Sequence, residues 1–231
     1  MKKNEVAELI KETLTLDNDT NQEEVLNEAL VAQVKTYTLP TEALSQANKK
    51  NHFELYDEYV KSFNRISAEL DAVSRSSANS NHSLFRSLKI DETYNLNAVY
   101  LHELFFANIG DLQSEITMDT LSFMRLERDF GSFDEWQRDF LACATASRCG
   151  WVVTGYNTFT RTYMNYVIDL HSLNVPVGVI PVIVMDVWQH AYYKDYLKNV
   201  TEYAVNMMRE LNWNVIESRF ERTEKIAEVL K

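Results

Sequence analysis

Of the 231 residues, only five are glycine and three proline. Those residues make most sharp turns, so their scarcity points to a largely helical chain. Two cysteines, Cys143 and Cys149 in FLACATASRCGW, have no histidine between them. They offer neither a disulfide framework nor a zinc motif and read as reduced core thiols, which suits a cytoplasmic setting. No run approaches the roughly 20 consecutive apolar residues that a membrane-spanning helix needs. The start, MKKNEVAELIKETL, lacks the apolar block of a signal peptide and is too acidic for a mitochondrial presequence. Clusters of Lys and Arg are missing too, and the formal charge is −11. Phosphate backbones are held by clustered cations that displace counterions, so a nucleic-acid surface is not expected.

What is present is a chain 45% apolar, enough to bury a full core. Two short amphipathic patterns, VAELIKETL and NQEEVLNEALVAQV, predict helices outside the main fold. The second is opened by Thr20 and Asn21, with Glu23 and Glu24 in its first turn. YTLPTEALSQANKK, with Pro40, marks the expected boundary of this extension, taken as residues 1–38. From about 49 to 73, Phe53, Tyr56, Val60, Phe63, Ile66 and Leu70 recur at helical spacing and predict one long helix. After the polar joint SRSSANSNHS, NLNAVYLHELFFANI predicts a helix apolar on nearly all sides, hence buried. These two helices define an expected hairpin domain over 39–125. A further domain over 126–231 opens on GSFDEWQRDFLACATAS, a helix capped by Ser132. Past Gly150 the pattern turns to strands: WVVTGYN, RTYMNYVIDL after a hairpin turn at YNTFT, and VGVIPVIVMD. Helices then resume through YYKDYLKNVTEYAVNMMREL and NWNVIESRFERTEKIAEVL. Helices, a small antiparallel sheet and helices again make an α+β order.

Four of the five histidines carry weight, since His82 falls in the polar joint and is expected in solvent. A lone histidine on an apolar helix face, such as His102, is more often a hydrogen-bonded core residue than a ligand. Asp186 alters that balance. It ends a buried strand directly after PVIVM, where an unpaired carboxylate is costly. A metal ion would compensate it, and His190, just past the turn, can offer a neutral imidazole to the same centre. Imidazoles with one carboxylate suit Fe or Mn better than a structural zinc site, which prefers thiolates. On these residues alone, a buried Asp–His pair without metal stays open.

DVWQHAYY resembles the signature D-x-W-E-H-A-Y-Y of the iron/manganese superoxide dismutase family. The likeness extends to DEYVKSFN against Y-V-x-x-x-N, LHELFF against N-H-x-x-F-W, GSFDEWQRDF and CGWVV against G-S-F and G-S-G-W, and NWNVIESRF against N-W-x-x-V-x-x-R-[FY]. It covers about residues 39 to 220 in the family's order. The resemblance implies a helical hairpin followed by a three-stranded antiparallel sheet flanked by helices. It also implies one Fe or Mn ion per chain, superoxide as substrate, and a homodimer or larger assembly. His102, Asp186 and His190 fall on metal-ligand positions. For the fourth, counting back from Tyr59 without a gap gives Asn51, and a one-residue deletion gives His52, which the echo in LSQANKKNHF favours. Tyr59 falls on the tyrosine that gates the substrate channel, and Trp151 and Trp188 on aromatic walls. His171 stands where manganese forms carry a glutamine, so Tyr59 and His171 are the expected catalytic residues.

Some positions depart from the pattern. Gln189 replaces a glutamate that reaches the partner subunit's metal-binding histidine in the family. Leu55 and Tyr56 occupy the place of a histidine at the channel mouth, and Phe106 replaces a pocket tryptophan. Thr201 stands where a basic residue is expected, which weakens attraction of an anionic substrate. These losses support an alternative, a subunit of the same fold in a larger particle with weak or no catalysis.

Overall fold

The computed structural model describes residues 31–109 and 114–230. Gln33–Lys231 forms one compact unit; of the separate unit Met1–Ala32 only residues 31 and 32 are described. The expected N-terminal helices therefore lie outside the described residues, except for the end of the second pattern. There residues 31–34 have no regular secondary structure.

Two long helices come first, α1 (Gln46–Ala72) and α2 (Leu84–Asn108). Each begins where a serine side chain accepts a backbone N–H that would otherwise be orphaned: Ser45 from Asn48, and Ser83 from Arg86. In α1 the buried residues Tyr56, Val60, Phe63, Ile66 and Leu70 follow the spacing that defined the helix in the sequence. Ile66 and Leu70 pack on Leu88 of α2 and close the far end of the hairpin. The α2 pattern starts well before NLNAVYLHELFFANI, because the Ser83 cap lies inside a run that reads as polar joint.

A short helix that the sequence pattern missed, α3 (Leu121–Phe130), follows. It runs through the expected 125/126 domain boundary and ends at Gly131, whose φ of 87° is the left-handed conformation that closes a helix. Ser132 caps α4 (Phe133–Ala146) as expected.

The sheet consists of β1 (Gly150–Asn157), β2 (Thr162–Asp169) and β3 (Val179–Asp186) in the order β2-β1-β3, all antiparallel. Pro181 sits on edge strand β3 beside a register irregularity opposite Thr154 and Gly155, the setting in which a residue without an N–H is tolerated. Helix α4 is tied to the sheet by a relay. Trp136 Nε1 donates to Thr154 Oγ1 at 2.9 Å, Thr154 Oγ1 donates to Asn165 Oδ1 at 2.6 Å, and Asn165 Nδ2 donates to Asp139 at 2.9 Å.

The expected continuous helix over YYKDYLKNVTEYAVNMMREL is two, α5 (Gln189–Tyr196) and α6 (Val200–Met208). Leu197 breaks it with a φ of 52°, and Asn199 caps the second part. Helix α7 (Trp213–Val229) closes the chain. No described helix is long and apolar enough to cross a membrane.

Two links hold the first helices to the last. Asn48, one turn before His52, donates through Nδ2 to the Ala191 carbonyl and to Asp195, both at 3.0 Å. Glu210 Oε1 accepts the backbone N–H groups of Glu42 and Ala43. These bonds fix α1 against α5, and the residues before α1 against the α6–α7 junction.

Gly150 begins β1 with a φ of 144°, and a Cβ there would lie 2.0 Å from the Ile168 carbonyl oxygen of the paired strand. Backbone strain and overpacking would then act together, so Gly150→Ala is expected to destabilise the protein by at least about 2 kcal/mol. Denaturant unfolding of the variant beside the parent checks this.

Candidate metal centre

Four side chains from separate parts of the chain meet in the interior: His52 of α1, His102 of α2, Asp186 at the end of β3 and His190 in the first turn of α5. One candidate ligand atom from each lies within 4.8 Å of all the others. His52 Nε2 is 3.0 Å, His190 Nε2 3.2 Å and His102 Nε2 3.6 Å from a single atom, Asp186 Oδ2. His52, His102 and Asp186 are buried, and His190 retains partial exposure. Asn51, the alternative on an ungapped count, is exposed, so the helix face selects His52.

One hydrogen bond orients the carboxylate and a second holds its backbone. Asp186 Oδ1 accepts the Trp188 N–H at 2.8 Å, and the Asp186 carbonyl accepts the Tyr203 hydroxyl at 2.8 Å. Burial alone would raise the pKa of this carboxyl, but His190 and His52 outweigh burial and hold it well below the usual carboxylate range. Burial in turn pushes His52 and His102 below the ordinary histidine value, His102 furthest. The centre therefore contains an anionic carboxylate facing two imidazoles, His52 and His102, that resist protonation.

His102 is decisive for whether a cation fits. Its Nδ1 lies 2.6 Å from the Ala98 carbonyl, which can only accept, so Nδ1 carries the proton. In the neutral ring Nε2 then presents a lone pair to Asp186 Oδ2, and among the described residues this buried nitrogen has no hydrogen-bond partner. A lone pair aimed at a carboxylate oxygen in a dry interior is unfavourable unless a positive centre attracts both. Three imidazole nitrogens and one carboxylate are the donor types that suit Fe or Mn, and neither cysteine belongs to the group.

Beside this cluster sits fully buried His171. Trp151 Nε1 donates to His171 Nδ1 at 3.0 Å, which leaves the ring proton on Nε2, 3.1 Å from the Tyr59 hydroxyl. Burial lowers the His171 pKa to about 4 and raises that of Tyr59, so a neutral imidazole donates to a protonated phenol. The Trp188 ring stacks on His171 at 5.0 Å and on His190 at 5.8 Å. The residues singled out from the sequence thus stand together, and His82 is exposed as expected.

Several contributors escaped the sequence reading. Tyr94 packs edge-on against His171 with ring centres 4.7 Å apart, and Asn97 Nδ2 donates to the His171 carbonyl at 2.7 Å. Both lie within about two helical turns of His102, a spacing that would have placed Tyr94 on the same face. Glu103 had no such signal. It accepts the Tyr56 hydroxyl at 2.9 Å and the Lys35 ammonium at 2.5 Å, so Tyr56 is buried and bonded away from the pocket. Phe106, in place of the expected tryptophan, packs edge-on against His52 with ring centres 4.9 Å apart. Gln189 is exposed on the first turn of α5.

Comparison with known proteins bears on the same residues. Residues 120–219 match the model of the iron/manganese superoxide dismutases, C-terminal domain. An iron superoxide dismutase from Aquifex aeolicus (strain VF5) is 34% identical over 194 residues, spanning 82% of this chain and 90% of that protein. A second from Aquifex pyrophilus gives the same figures. A manganese superoxide dismutase from Mycolicibacterium smegmatis is 27% identical over 176 residues, spanning 76% of this chain and 83% of its own. With the helical hairpin, the three-stranded sheet and the histidine–aspartate cluster in the expected order, the chain belongs to the iron/manganese superoxide dismutase family.

Proposed function

We propose that the chain disproportionates superoxide at one iron or manganese ion held by His52, His102, Asp186 and His190. The observation that carries this reading is the buried His102 lone pair directed at the Asp186 carboxylate with no proton to share. Bound there, the metal supplies a one-electron couple, oxidising one superoxide to dioxygen and reducing a second, which takes up two protons, to hydrogen peroxide.

The remaining requirement is protons, and the chain offers a route for them. The Tyr59 hydroxyl accepts from His171 Nε2 and has the Tyr94 hydroxyl as its second hydrogen-bond partner, so the three side chains form a chain along which a proton can pass. Burial keeps that phenol protonated, and Trp151 keeps His171 in the tautomer that donates. Tyr59 and His171 are read as the proton-handling residues on this basis. Trp151 packs edge-on against His102 and Trp188 stacks on His171, which gives the pocket aromatic walls beside its polar groups. A second copy of the chain set against α5 would cover Gln189 and the exposed part of His190, in line with a dimer.

The rival reading, a non-catalytic subunit, draws on Gln189 and Thr201. Thr201 Oγ1 is paired at 3.3 Å with Thr145 Oγ1 and supplies no positive charge for an arriving anion. Elemental analysis with a superoxide-consumption assay separates the two. Purified protein is expected to hold one Fe or Mn per chain and to consume superoxide. Bound metal without consumption, or folded protein without metal, would overturn the proposal. Asp186→Asn removes the anionic ligand, and metal retention is expected to fall at least about tenfold.

Stability should also depend on pH. His171 has a folded pKa near 4 against 6.5 for the free side chain, so the unfolded chain binds the extra proton first as pH falls. In metal-free protein its contribution is complete above pH 6.5 and is lost between pH 6.5 and about 4, by up to roughly 3 kcal/mol. Buried His52 and His102 act in the same direction. Denaturant midpoints measured across this range should fall for the parent and fall less for His171→Gln, whose amide can still accept from Trp151 and donate to Tyr59.

A further inference from the structure

A cleft of about 380 Å³ separates the segment leading into α1 from α2, the start of β3 and α7. It shares no residue with the converging histidines and Asp186. Arg219 lines it at 7% exposure, and its guanidinium spends its bonds on neutral acceptors. Those are Asn108 Oδ1, the Val182 carbonyl at 3.1 Å and the Leu104 carbonyl at 3.0 Å. Among the described residues no carboxylate lies within 4.0 Å of Arg219 or of Arg222, which also lines the cleft; Arg222 donates only to the Ser218 carbonyl of its own helix.

A buried guanidinium without a counter-charge is costly. Burial, with the neighbouring Arg222 adding to it, lowers the pKa of Arg219 to about 10, and Tyr100 and Tyr37 stand near enough to counter part of that shift. The other cation in the cleft, Lys35, is neutralised by Glu103 at 2.5 Å. The Tyr37 and Tyr100 hydroxyls, close enough to influence Arg219, have no hydrogen-bond partner among the described residues. In a chain of net charge −11, this cleft therefore gathers donors and positive charge that no carboxylate among the described residues neutralises. Leu104, Pro181 and Ile226 supply apolar wall beside them.

We propose that the cleft binds a small organic anion, its carboxylate or phosphate held by Arg222 and the Tyr37 and Tyr100 hydroxyls over the Arg219 charge, with its apolar body against Leu104, Pro181 and Ile226. At physiological salt the Debye length is about 8 Å, so the distant acidic surface is screened while the local cations are not. The site is independent of superoxide chemistry, and a ligand there needs no metal.

Calorimetric titration of the full-length, metal-bound protein with benzoate, and separately with inorganic phosphate, tests this. Saturable binding at one site per chain is expected. Arg222→Ala removes an exposed side chain, so unfolding should be unchanged while binding weakens about tenfold, the worth of one charge-assisted bond. Arg222→Lys keeps the charge without the fork and should recover part of the loss. Tyr100→Phe should weaken binding about fivefold. Absence of saturable heat with both anions up to about 10 mM would overturn the proposal. Unchanged affinity in the Arg222→Ala, Tyr100→Phe double variant would do so as well, because the anion would then sit elsewhere, the metal pocket included.

Discussion

One carboxylate, Asp186, determines how the rest of this molecule is arranged. It lies fully buried at the end of β3, and the interior offers it imidazoles instead of water. An unpaired anion in such a place would unfold a marginally stable domain, so the three histidines must be delivered to it from three helices. Much of the architecture serves that delivery. The α1–α2 hairpin carries two of them, and the turn from β3 into α5 carries the third. Asn48 and Glu210 pin α1 and the residues before it to α5 and the α6–α7 junction. The Trp188 N–H aims the carboxyl group once it is there, and the Tyr203 hydroxyl holds the Asp186 backbone carbonyl.

Around this centre the chain keeps a chemistry of fixed protons. His102 is locked as the Nδ1–H tautomer by Ala98, and His171 as the Nε2–H tautomer by Trp151. In each case a neighbour that can only accept, or only donate, decides which ring nitrogen carries the proton. One histidine is left with a lone pair facing the carboxylate and the other with a proton facing Tyr59. The same residue type thereby becomes a candidate ligand in one place and a candidate proton donor a few ångströms away.

The positions that depart from the family pattern have different physical standing. Tyr56 is absorbed into a Lys35–Glu103 network and Phe106 into the aromatic packing on His52, so both have become structural. Gln189 and Thr201 stay at the surface, outside that packing. The buried charge of Arg219 holds the end of α2 to β3 through Asn108, Leu104 and Val182, and it also leaves an electropositive cleft on an acidic chain.

Periodicity and motif spacing by themselves determined the helix–sheet–helix order, the α1 core face and the Ser132 cap, while the family resemblance pointed to His102, Asp186 and His190. These depend on neighbours in the chain: a helix repeats its face every 3.6 residues whatever surrounds it, and PVIVMD reads as a buried strand ending in an acid. The sequence left α3 and the break at Leu197 unread, because a ten-residue helix and a single left-handed residue hardly disturb an amphipathic pattern. It also left Asn51 and His52 as alternatives, since they are adjacent; only the rotation of α1 against α2 and α5 turned one inward and the other to solvent. Tyr94, Glu103 and the Arg219 cleft needed the tertiary structure for the same reason. Their roles come from partners distant in sequence, and packing alone decides which of many polar side chains ends up without water, without a counter-charge, or beside a histidine.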